Sequence, residues 1–428
     1  MSETRTQLQQ SWNEISAIVG PGHIQQAAAD DMVDGVQPQA VISPATPQAV
    51  AQVLHFCESS GLAVVPRGGG TKLSLGNRPH KADFILSTAR LNRVVEHAWD
   101  DMSVTVQAGC TIADLQRVLK QHGQRLAADP IQPEKATVGG VLATAESGTL
   151  RIRFGAMRDL VLGMEVALPD GGLIRAGGKV VKNVAGYDLC KLAIGSLGTL
   201  GIITGATFRL HPLPAAARTY TKTLRAATLR AGLTELVLAI RDSNLSYTAL
   251  QIRAGSPEQV AVDVCCEGIA DSLEYEYGKL RRLANAQDFA ECAAEVWSER
   301  EKLFVNAAGS AICKCAVQPN QLGELCEAVF RQAGSCGAVA SVVAQGTGLA
   351  EVRLDAADIQ AQRSVLSGLR TELERLEGTL TVLQCFTALK RELDVWGPMN
   401  EALPLMKRIK ERFDPVRVLN PGRFVGGI

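Results

Sequence analysis

Three consecutive glycines, followed by hydroxyl and ammonium side chains, form the part of this sequence best suited to chemistry on phosphate. Residues 68–70 are glycine, and Thr71, Lys72 and Ser74 come next. Glycine has no Cβ atom and adopts positive φ, so consecutive glycines can point several N–H groups at one anion. The spacing fits neither the P-loop nor the G-x-G-x-x-G dinucleotide motif. A phosphate cradle of a third kind and an ordinary tight turn both stay open here.

Side chains for metal binding and proton transfer are distributed unevenly. All six histidines lie at or before His211, so residues 212–428 contain no imidazole for either task. The eleven cysteines, an odd number, lack the spacing of zinc or iron–sulfur ligands. We interpret them as reduced core or loop thiols of a cytosolic protein. No metal site is predicted.

Length and charge exclude several classes of protein. A chain of 428 residues predicts two or three domains. Lys plus Arg equals Asp plus Glu at 44 each, which argues against nucleic acid or an anionic membrane as a partner. The polar N-terminus shows no signal peptide, and no apolar run reaches the length of a membrane span. We expect a cytoplasmic protein, associated with a membrane only through a complex.

The glycine loop is positioned by a predicted β-α-β unit. Residues 40–43 read as a strand, and Thr46 and Pro47 are suited to the N-cap and first position of a helix that ends before Gly61. Residues 62–65 form the second strand, which runs into the loop. The pattern predicts further strands at 84–86 and 104–106 and a helix at 112–121 capped by Thr111.

Composition changes twice after this unit. Residues 137–214 are rich in glycine, and the glycines spaced by three in 195–204 favour close helix packing and close approach to a ligand equally. After residue 214 the glycine density falls, which we interpret as a domain boundary. Strands are then predicted at 247–253, 260–266, 310–317, 338–345, 349–354 and 379–387, and helices at 271–303, 319–333, 356–377 and 400–412. This pattern indicates an α+β domain with an antiparallel sheet.

Three of these blocks, at 64–76, 137–172 and 195–210, together resemble the vanillyl-alcohol-oxidase or p-cresol-methylhydroxylase type of FAD-binding family. Residues 182–189 and 420–424 are similar to the branch that contains the FAD-binding subunits of glycolate oxidase. The resemblance implies an α+β protein with a two-part FAD-binding domain, residues 1–214. It also implies an antiparallel-sheet cap domain at 215–395 and a C-terminal segment at 396–428 that returns to the first domain.

The resemblance implies residues that contact FAD, with the glycine nest on the pyrophosphate. They are Pro66, Arg67, Gly68, Gly69, Gly70, Thr71, Leu73, Ser74, Pro133, Thr137, Gly139, Gly140, Ala143, Ser147, Gly148, Gly201 and Ile203. Some relatives tether FAD through a histidine in this loop. Here His80 lies beyond it and reads as a surface residue, so noncovalent FAD is implied. We expect positive φ at Gly69. A solvated or helix-paired cation and a ligand role for Arg67 both stay open, as do a chain-end clamp and a contact with flavin or substrate for Asn420 and Arg423.

The expected catalytic groups are missing from the second domain. Relatives that oxidise D-lactate or other D-2-hydroxy acids carry a metal-binding His-x-His pair and a histidine base. The matching stretch here, 343–348, contains neither. Burial would raise the pKa of the Glu351 and Asp355 carboxyl groups and so suit them to act as bases. We favour the interpretation that both side chains are exposed to solvent. No catalytic residue is therefore assigned.

Three hypotheses about function follow. In the first, the chain binds FAD beside a larger FAD-containing subunit and an iron–sulfur subunit, and the complex oxidises glycolate, a small 2-hydroxy acid. In the second, the chain is a self-sufficient FAD-dependent D-2-hydroxy-acid dehydrogenase. In the third, it is a structural subunit whose FAD is redox-silent. The missing histidines favour the first and third.

Overall fold

The computed structural model describes residues 2–178, 188–224, 229–283, 286–398 and 401–428, and for residues 2–10 and 229 the backbone alone. The chain forms two compact units. The first comprises Met1–Ser147, Ala156–Pro212 and Pro398–Ile428, and the second comprises Gly148–Gly155 and Leu213–Gly397. Most of the motif predicted at 182–189 lies outside the described residues.

The smaller sheet of the first unit contains the predicted β-α-β unit. Its four strands lie in the order Ile24–Gln26, Ala40–Ile42, Phe84–Ser87 and Val64–Arg67. The last three are parallel, as a helical crossover requires.

The crossover helix, Pro47–Ser60, confirms the predicted start and stop signals. The Thr46 hydroxyl accepts a hydrogen bond from the Ala49 N–H at 3.1 Å. Gly61 ends the helix in the left-handed conformation, with φ 63°. The apolar face, which includes Val50 and Leu54, is buried. The helix thereby fixes the strand that leads into the glycine loop.

A second sheet of the first unit is antiparallel. Its strands lie in the order Val94–Ala98, Ser103–Gln107, Ile202–Arg209, Val161–Ala167 and Leu173–Gly177. Gln124–Arg125 and His211–Pro212 form a separate two-stranded ladder. The predicted helix is present at Ile112–Lys120, capped by the Thr111 hydroxyl. The unit's other helices are Ser2–Val19, Val138–Ala143, Met157–Leu160, Leu189–Ala193 and Leu403–Phe413.

The second unit is built on one antiparallel sheet of eight strands, which confirms the predicted α+β class. The strand order is Ala290–Cys292, Ala216–Leu224, Gln259–Gly268, Ala249–Ser256, Val339–Gln345, Leu349–Asp355, Ala311–Ala316 and Thr379–Gln384. The helices are Arg151–Phe154, Leu229–Arg241, Ala270–Leu280, Glu299–Lys302, Leu322–Ser335 and Ile359–Arg375. Apolar residues of the long helices and of the sheet share one core.

The helix predicted at 271–303 is wrong. The helix ends at Leu280, and Ala290–Cys292 forms an edge strand paired with Ala216–Leu224. The Ala- and Glu-rich sequence has helical propensity, but pairing with a strand far away in sequence overrides that weak preference. The segment from 216 onward alternates small and polar residues, a strand pattern that its overall Ala and Leu content obscures.

Two further observations concern the apolarity of the helices and the cysteine thiols. In the described part of the chain, no helix combines the length and apolarity needed to cross a membrane. All eleven cysteines are free thiols. Several lie in the cores, and burial raises the pKa of Cys315 to about 12. Such a thiol stays protonated and is a poor nucleophile.

Candidate functional site

The glycine loop approaches a second segment so closely that side chains are excluded. A Cβ at Gly68 would lie 2.1 Å from the Thr137 Oγ1, and one at Gly69 would lie 1.7 Å from the Lys135 carbonyl oxygen. Within the triplet only Gly70 has positive φ, at 76°. The expectation of positive φ at Gly69 is therefore wrong. Gly69 is required because another backbone passes against it.

The second segment is held in place by its own cap and by the sheet. The Thr137 hydroxyl accepts a hydrogen bond from the Gly140 N–H at 3.3 Å and caps the helix Val138–Ala143. The Gly139 N–H donates to the Ala108 carbonyl at 2.7 Å, and a Cβ at Gly139 would lie 2.8 Å from the Ala108 Cβ. This glycine serves packing against the sheet, which leaves the helix beside the glycine loop.

Of the glycines spaced by three at 195, 198 and 201, the first two lie in turns and none lies in a helix. Gly195 and Gly198 have positive φ, and a Cβ at Gly198 would lie 2.6 Å from the Pro66 Cγ. The Leu197 N–H donates to the Ala143 carbonyl at 2.9 Å. This third segment therefore contacts both the strand that leads into the glycine loop and the helix Val138–Ala143.

The C-terminal segment binds the glycine loop and the third segment through buried polar side chains. Arg423, 2% exposed, donates from Nη2 to the carbonyls of Leu73 at 2.5 Å and Leu75 at 2.6 Å. Asn420 donates from Nδ2 to the Leu197 carbonyl at 2.6 Å. Burial lowers the pKa of the Arg423 guanidinium to about 10. Asn420 and Arg423 thus make the hydrogen bonds expected of a chain-end clamp, and a contact with the cofactor stays a prediction.

A buried lysine extends this clamp. The Lys410 ammonium donates to the Asp414 carboxylate at 2.6 Å, the Thr199 carbonyl at 2.8 Å and the Leu419 carbonyl at 2.9 Å. Burial lowers the pKa of Lys410, although the Asp414 charge opposes that effect. Its three hydrogen bonds use all three donors of the ammonium. Lys410 therefore joins the C-terminal segment to the turn that contains Thr199.

These four segments line an open cleft within the first unit. Of the residues predicted to contact FAD, the structure brings together Pro66, Arg67, Gly68, Gly69, Gly70, Thr71, Leu73, Thr137, Gly139, Gly140, Ala143, Gly201 and Ile203. Ser74, Pro133 and Ser147 are in the same unit but do not line the cleft, and Gly148 belongs to the second unit. Which of them contact the cofactor stays a prediction.

The structure adds lining residues that sequence reasoning did not assign. They are Lys72, Thr88, Thr144, Leu197, Gly198, Ile202, Asn420 and Arg423. Lys72 sits inside the glycine motif and Gly198 inside the second glycine-rich stretch, so both had a local signal. Thr88 and Thr144 had none, because only the pairing of distant segments brings them to the cleft.

Two ion pairs contribute charge to the cleft. The Arg67 Nη1 lies 2.5 Å from the Asp31 Oδ1, so Arg67 both forms an ion pair and lines the cleft. Burial of Asp31 alone would raise the pKa of its carboxyl. Hydrogen bonds from Arg67 and from the Ala28 N–H, together with the positive charge of Arg67, outweigh burial, so the pKa of Asp31 is lowered. The Lys72 Nζ lies 3.6 Å from the Glu146 Oε1.

The cleft residues fit FAD. FAD combines an anionic pyrophosphate with a long ribityl arm and a flat apolar ring system. Glycine backbones and the cations Arg67 and Lys72 are suited to the first. The apolar side chains of Leu73, Ile202 and Ile203 are suited to the rings. The residues that would hold the cofactor therefore come from three separate stretches of sequence.

We expect FAD to be bound without a covalent link. No histidine is present among the described residues that line the cleft, and His80 is exposed, as predicted. Acid precipitation of the FAD-loaded protein should therefore leave all of the flavin in a yellow supernatant. Flavin that stays in the washed, precipitated protein would contradict this prediction.

The carboxylates considered as bases in the second unit are engaged in ion pairs. Glu351 is 4% exposed and accepts a hydrogen bond from the Arg300 Nε at 3.0 Å, so the interpretation of Glu351 as solvent-exposed is wrong. Asp355 accepts hydrogen bonds from Ser310 at 2.5 Å and Arg353 at 3.0 Å. Across the described residues, no group of three or more His, Cys, Asp or Glu side chains is placed to hold a metal ion.

Comparison with known proteins finds a family model and several relatives that are similar to this chain. The family model FAD_binding_4, described as an FAD binding domain, matches residues 38–177. The glycolate oxidase subunit GlcD of Bacillus subtilis is 26% identical over 422 residues, which cover 90% of this chain and 88% of that protein. The D-lactate dehydrogenase of Archaeoglobus fulgidus is 39% identical over 172 residues, which cover 40% of this chain and 38% of that protein.

Solved structures show the same fold at low sequence identity. The structure of p-cresol methylhydroxylase with substrate bound matches with a TM-score of 0.74 at 15% identity, over 97% of this chain and 96% of that one. The 4-ethylphenol oxidase from Gulosibacter chungangensis matches with a TM-score of 0.75 at 16% identity, over 98% and 97%.

Proposed function

We propose that this chain, which belongs to the FAD-linked oxidoreductases with an FAD-binding domain of the p-cresol-methylhydroxylase type, is the FAD-binding subunit of a glycolate-oxidising complex. The cleft of the first unit, formed by all three of the predicted blocks, is the observation that carries the proposal. Supporting it, one relative that aligns with 90% of the chain is itself named as a glycolate oxidase subunit.

Oxidation of glycolate to glyoxylate removes two electrons and two protons from the substrate. When bound, FAD supplies the two-electron chemistry. The protein has to orient the cofactor, anchor the substrate carboxylate and accept the hydroxyl proton. The cleft residues of this chain perform the first task. Arg67 and Lys72 contribute positive charge for the pyrophosphate, and the C-terminal clamp fixes the loop that carries them.

The other two tasks lack obvious residues here. Gln345 occupies the stretch where relatives carry the His-x-His pair, and it is 1% exposed on a central strand of the sheet. Glu351 and Asp355 are committed to Arg300 and Arg353. A carboxylate held by an adjacent cation is a weaker base than a free one. We therefore assign substrate oxidation to a larger FAD-containing subunit, with an iron–sulfur subunit as electron acceptor.

Stopped-flow reduction of the flavin by glycolate under anaerobic conditions tests this proposal. Bleaching is followed at about 450 nm, the band that reports two-electron reduction of flavin. A positioned general base contributes roughly 10²–10⁴ in rate. We expect bleaching of the isolated chain to be slower by about this factor than that of the chain mixed with the two partner subunits.

The alternatives predict different traces. Fast, stoichiometric bleaching of the isolated chain by glycolate or D-lactate would show a self-sufficient 2-hydroxy-acid dehydrogenase. Flavin on this chain that stays oxidised even in the complete complex would show a structural subunit with redox-silent FAD. A preparation of this chain that contains no FAD would contradict the cofactor assignment itself.

A further inference from the structure

A carboxylate outside every block predicted to contact FAD binds one of the cations of the cleft. Arg67 lines the cleft at the end of the strand Val64–Arg67, and its Nη1 donates to the Asp31 Oδ1 at 2.5 Å. The Arg67 and Asp31 side chains are 22% and 17% exposed. Asp31 itself is not among the described residues that line the cleft. An influence of Asp31 on a ligand in the cleft would therefore pass through Arg67.

The Asp31 carboxylate is oriented by its own turn. Its second oxygen, Oδ2, accepts a hydrogen bond from the Ala28 N–H at 2.8 Å and so caps the short 3₁₀ turn Ala29–Asp31. One carboxylate oxygen thus serves the turn, and the other serves Arg67. Both hydrogen bonds form without any ligand in the cleft, so the direction of the Asp31 side chain is set before a ligand arrives.

The segment that follows this turn is anchored close to the strand that ends at Arg67. Val33 and Val36 exchange two backbone hydrogen bonds, each of 2.9 Å, which close a tight turn. The Val33 side chain is 1% exposed and shares an apolar cluster with Val65, a residue of that strand. Asp31 therefore lies two residues from a buried anchor, and the anchor packs beside the strand that carries Arg67.

A guanidinium that is held at one nitrogen can bind a second anion with its other donors. The side chain of arginine has five N–H donors in a planar fork, which suits it to phosphate. Fixing a long side chain beforehand removes part of the ordering cost that binding otherwise carries. The negative charge of Asp31 opposes an anionic ligand, but water screens that repulsion at a partly exposed site. We therefore expect the gain from orientation to outweigh the repulsion.

We propose that Asp31 is a positioning residue of the cofactor site, which holds the Arg67 guanidinium ready to bind the diphosphate part of FAD. The proposal rests on the proposed FAD site and adds to it a residue that acts on the ligand only through Arg67. Two consequences distinguish this role from a structural one. Substitution of Asp31 weakens the binding of ligands that carry phosphate, and it does so only while Arg67 is present.

Calorimetric affinities of the full-length chain, stripped of flavin, for ADP and adenosine test the first consequence. In Arg67→Met we expect ADP affinity to fall about 10- to 100-fold, the loss of one charge-assisted contact. In Asp31→Asn a single carbonyl oxygen has to serve both the Ala28 N–H and Arg67. We expect ADP affinity to fall about 3- to 10-fold there, as for one side chain that is no longer ordered beforehand. Adenosine, which carries no phosphate, should bind both variants as it binds the parent.

The double variant Arg67→Met/Asp31→Asn tests the second consequence. It should bind ADP as weakly as Arg67→Met alone, because two residues that act through one contact are not additive. Asp30→Asn is the matched control, since it removes the same charge from the same turn at an exposed side chain. This control should bind ADP within about twofold of the parent, as expected for a solvated charge. Thermal unfolding checks that each variant is folded.

Several results would overturn the proposal. Parental ADP affinity in Arg67→Met or in Asp31→Asn removes one of its two steps. Tighter ADP binding in Asp31→Asn shows that the carboxylate opposes the ligand. An equal loss from the Asp31 substitution with and without Arg67, or a matching loss of adenosine affinity, shows a structural role for the turn. A parent chain that binds neither FAD nor ADP rejects the cofactor site itself, whereas a parent that binds both, without coupling in the double variant, rejects only the role of Asp31.

Discussion

Gly69→Val is expected to weaken FAD binding about 10- to 100-fold while the second unit stays folded. The Cβ of any residue at this position would overlap the Lys135 carbonyl oxygen, at a separation of 1.7 Å. Neither backbone segment can make room by rotating a side chain, so the glycine loop has to move away from residues 135–137. Overpacking of this kind costs about 1–3 kcal/mol. If this cost is incurred when the loop returns to its FAD-binding conformation, FAD affinity falls about 10- to 100-fold.

The measurements are flavin content after purification and FAD affinity by titration. Gly334→Val serves as the control, because a Cβ at Gly334 meets nothing within 4 Å and the residue lies in the second unit. Far-UV circular dichroism and thermal unfolding check that the chain still folds. Full flavin occupancy in Gly69→Val would show that the pyrophosphate is not held by this loop.

Local sequence signals correctly predicted the elements that position the site. The helix Pro47–Ser60 carries its own N-cap, first-position proline and C-terminal glycine, and all three do what their residue types favour. The glycine loop was recognisable because three adjacent glycines are rare in an ordinary strand end. In these cases the physical cause lies within a few residues, where a sequence pattern can record it.

The reason for a glycine was harder to predict than its importance. The sequence suggested positive φ at Gly69. Glycine is instead required there because the Lys135 carbonyl leaves no room for a Cβ atom. Close approach depends on a segment that is distant in sequence, and no local pattern contains that information. The wrong helix at 271–303 has the same origin, because the strand Ala290–Cys292 forms only by pairing with Ala216–Leu224.

The contact between Arg423 and the glycine loop is the clearest long-range feature of the site. It joins residues 350 positions apart. The sequence suggested a returning C-terminal segment, but left open whether Arg423 clamps the fold or contacts a ligand. In the structure its guanidinium donates to the Leu73 and Leu75 carbonyls and also lines the cleft. A single side chain therefore couples the conformation of the loop to the C-terminal segment.

Arg423→Met should consequently weaken FAD binding without removing a residue of the glycine nest. Methionine keeps an aliphatic stem of similar length but provides no donors, so the carbonyls of Leu73 and Leu75 lose their buried partner. Each buried polar group left unsatisfied costs about 1–3 kcal/mol. We expect the first unit to unfold at a lower temperature and FAD affinity to fall at least about tenfold, since 1.4 kcal/mol corresponds to one order of magnitude.

Arg417→Met is the matched control for this experiment. Arg417 belongs to the same C-terminal segment, its side chain is 62% exposed, and its carboxylate partner Glu411 lies 3.7 Å away on the surface. Surface ion pairs contribute about 0–1 kcal/mol, so this variant should bind FAD as the parent does. Limited proteolysis adds a readout of loop order, because a released loop at 68–76 should be cut faster in Arg423→Met. Parental FAD affinity and an uncut loop in Arg423→Met would contradict the coupling, since the carbonyls of Leu73 and Leu75 would then hold their positions without the guanidinium.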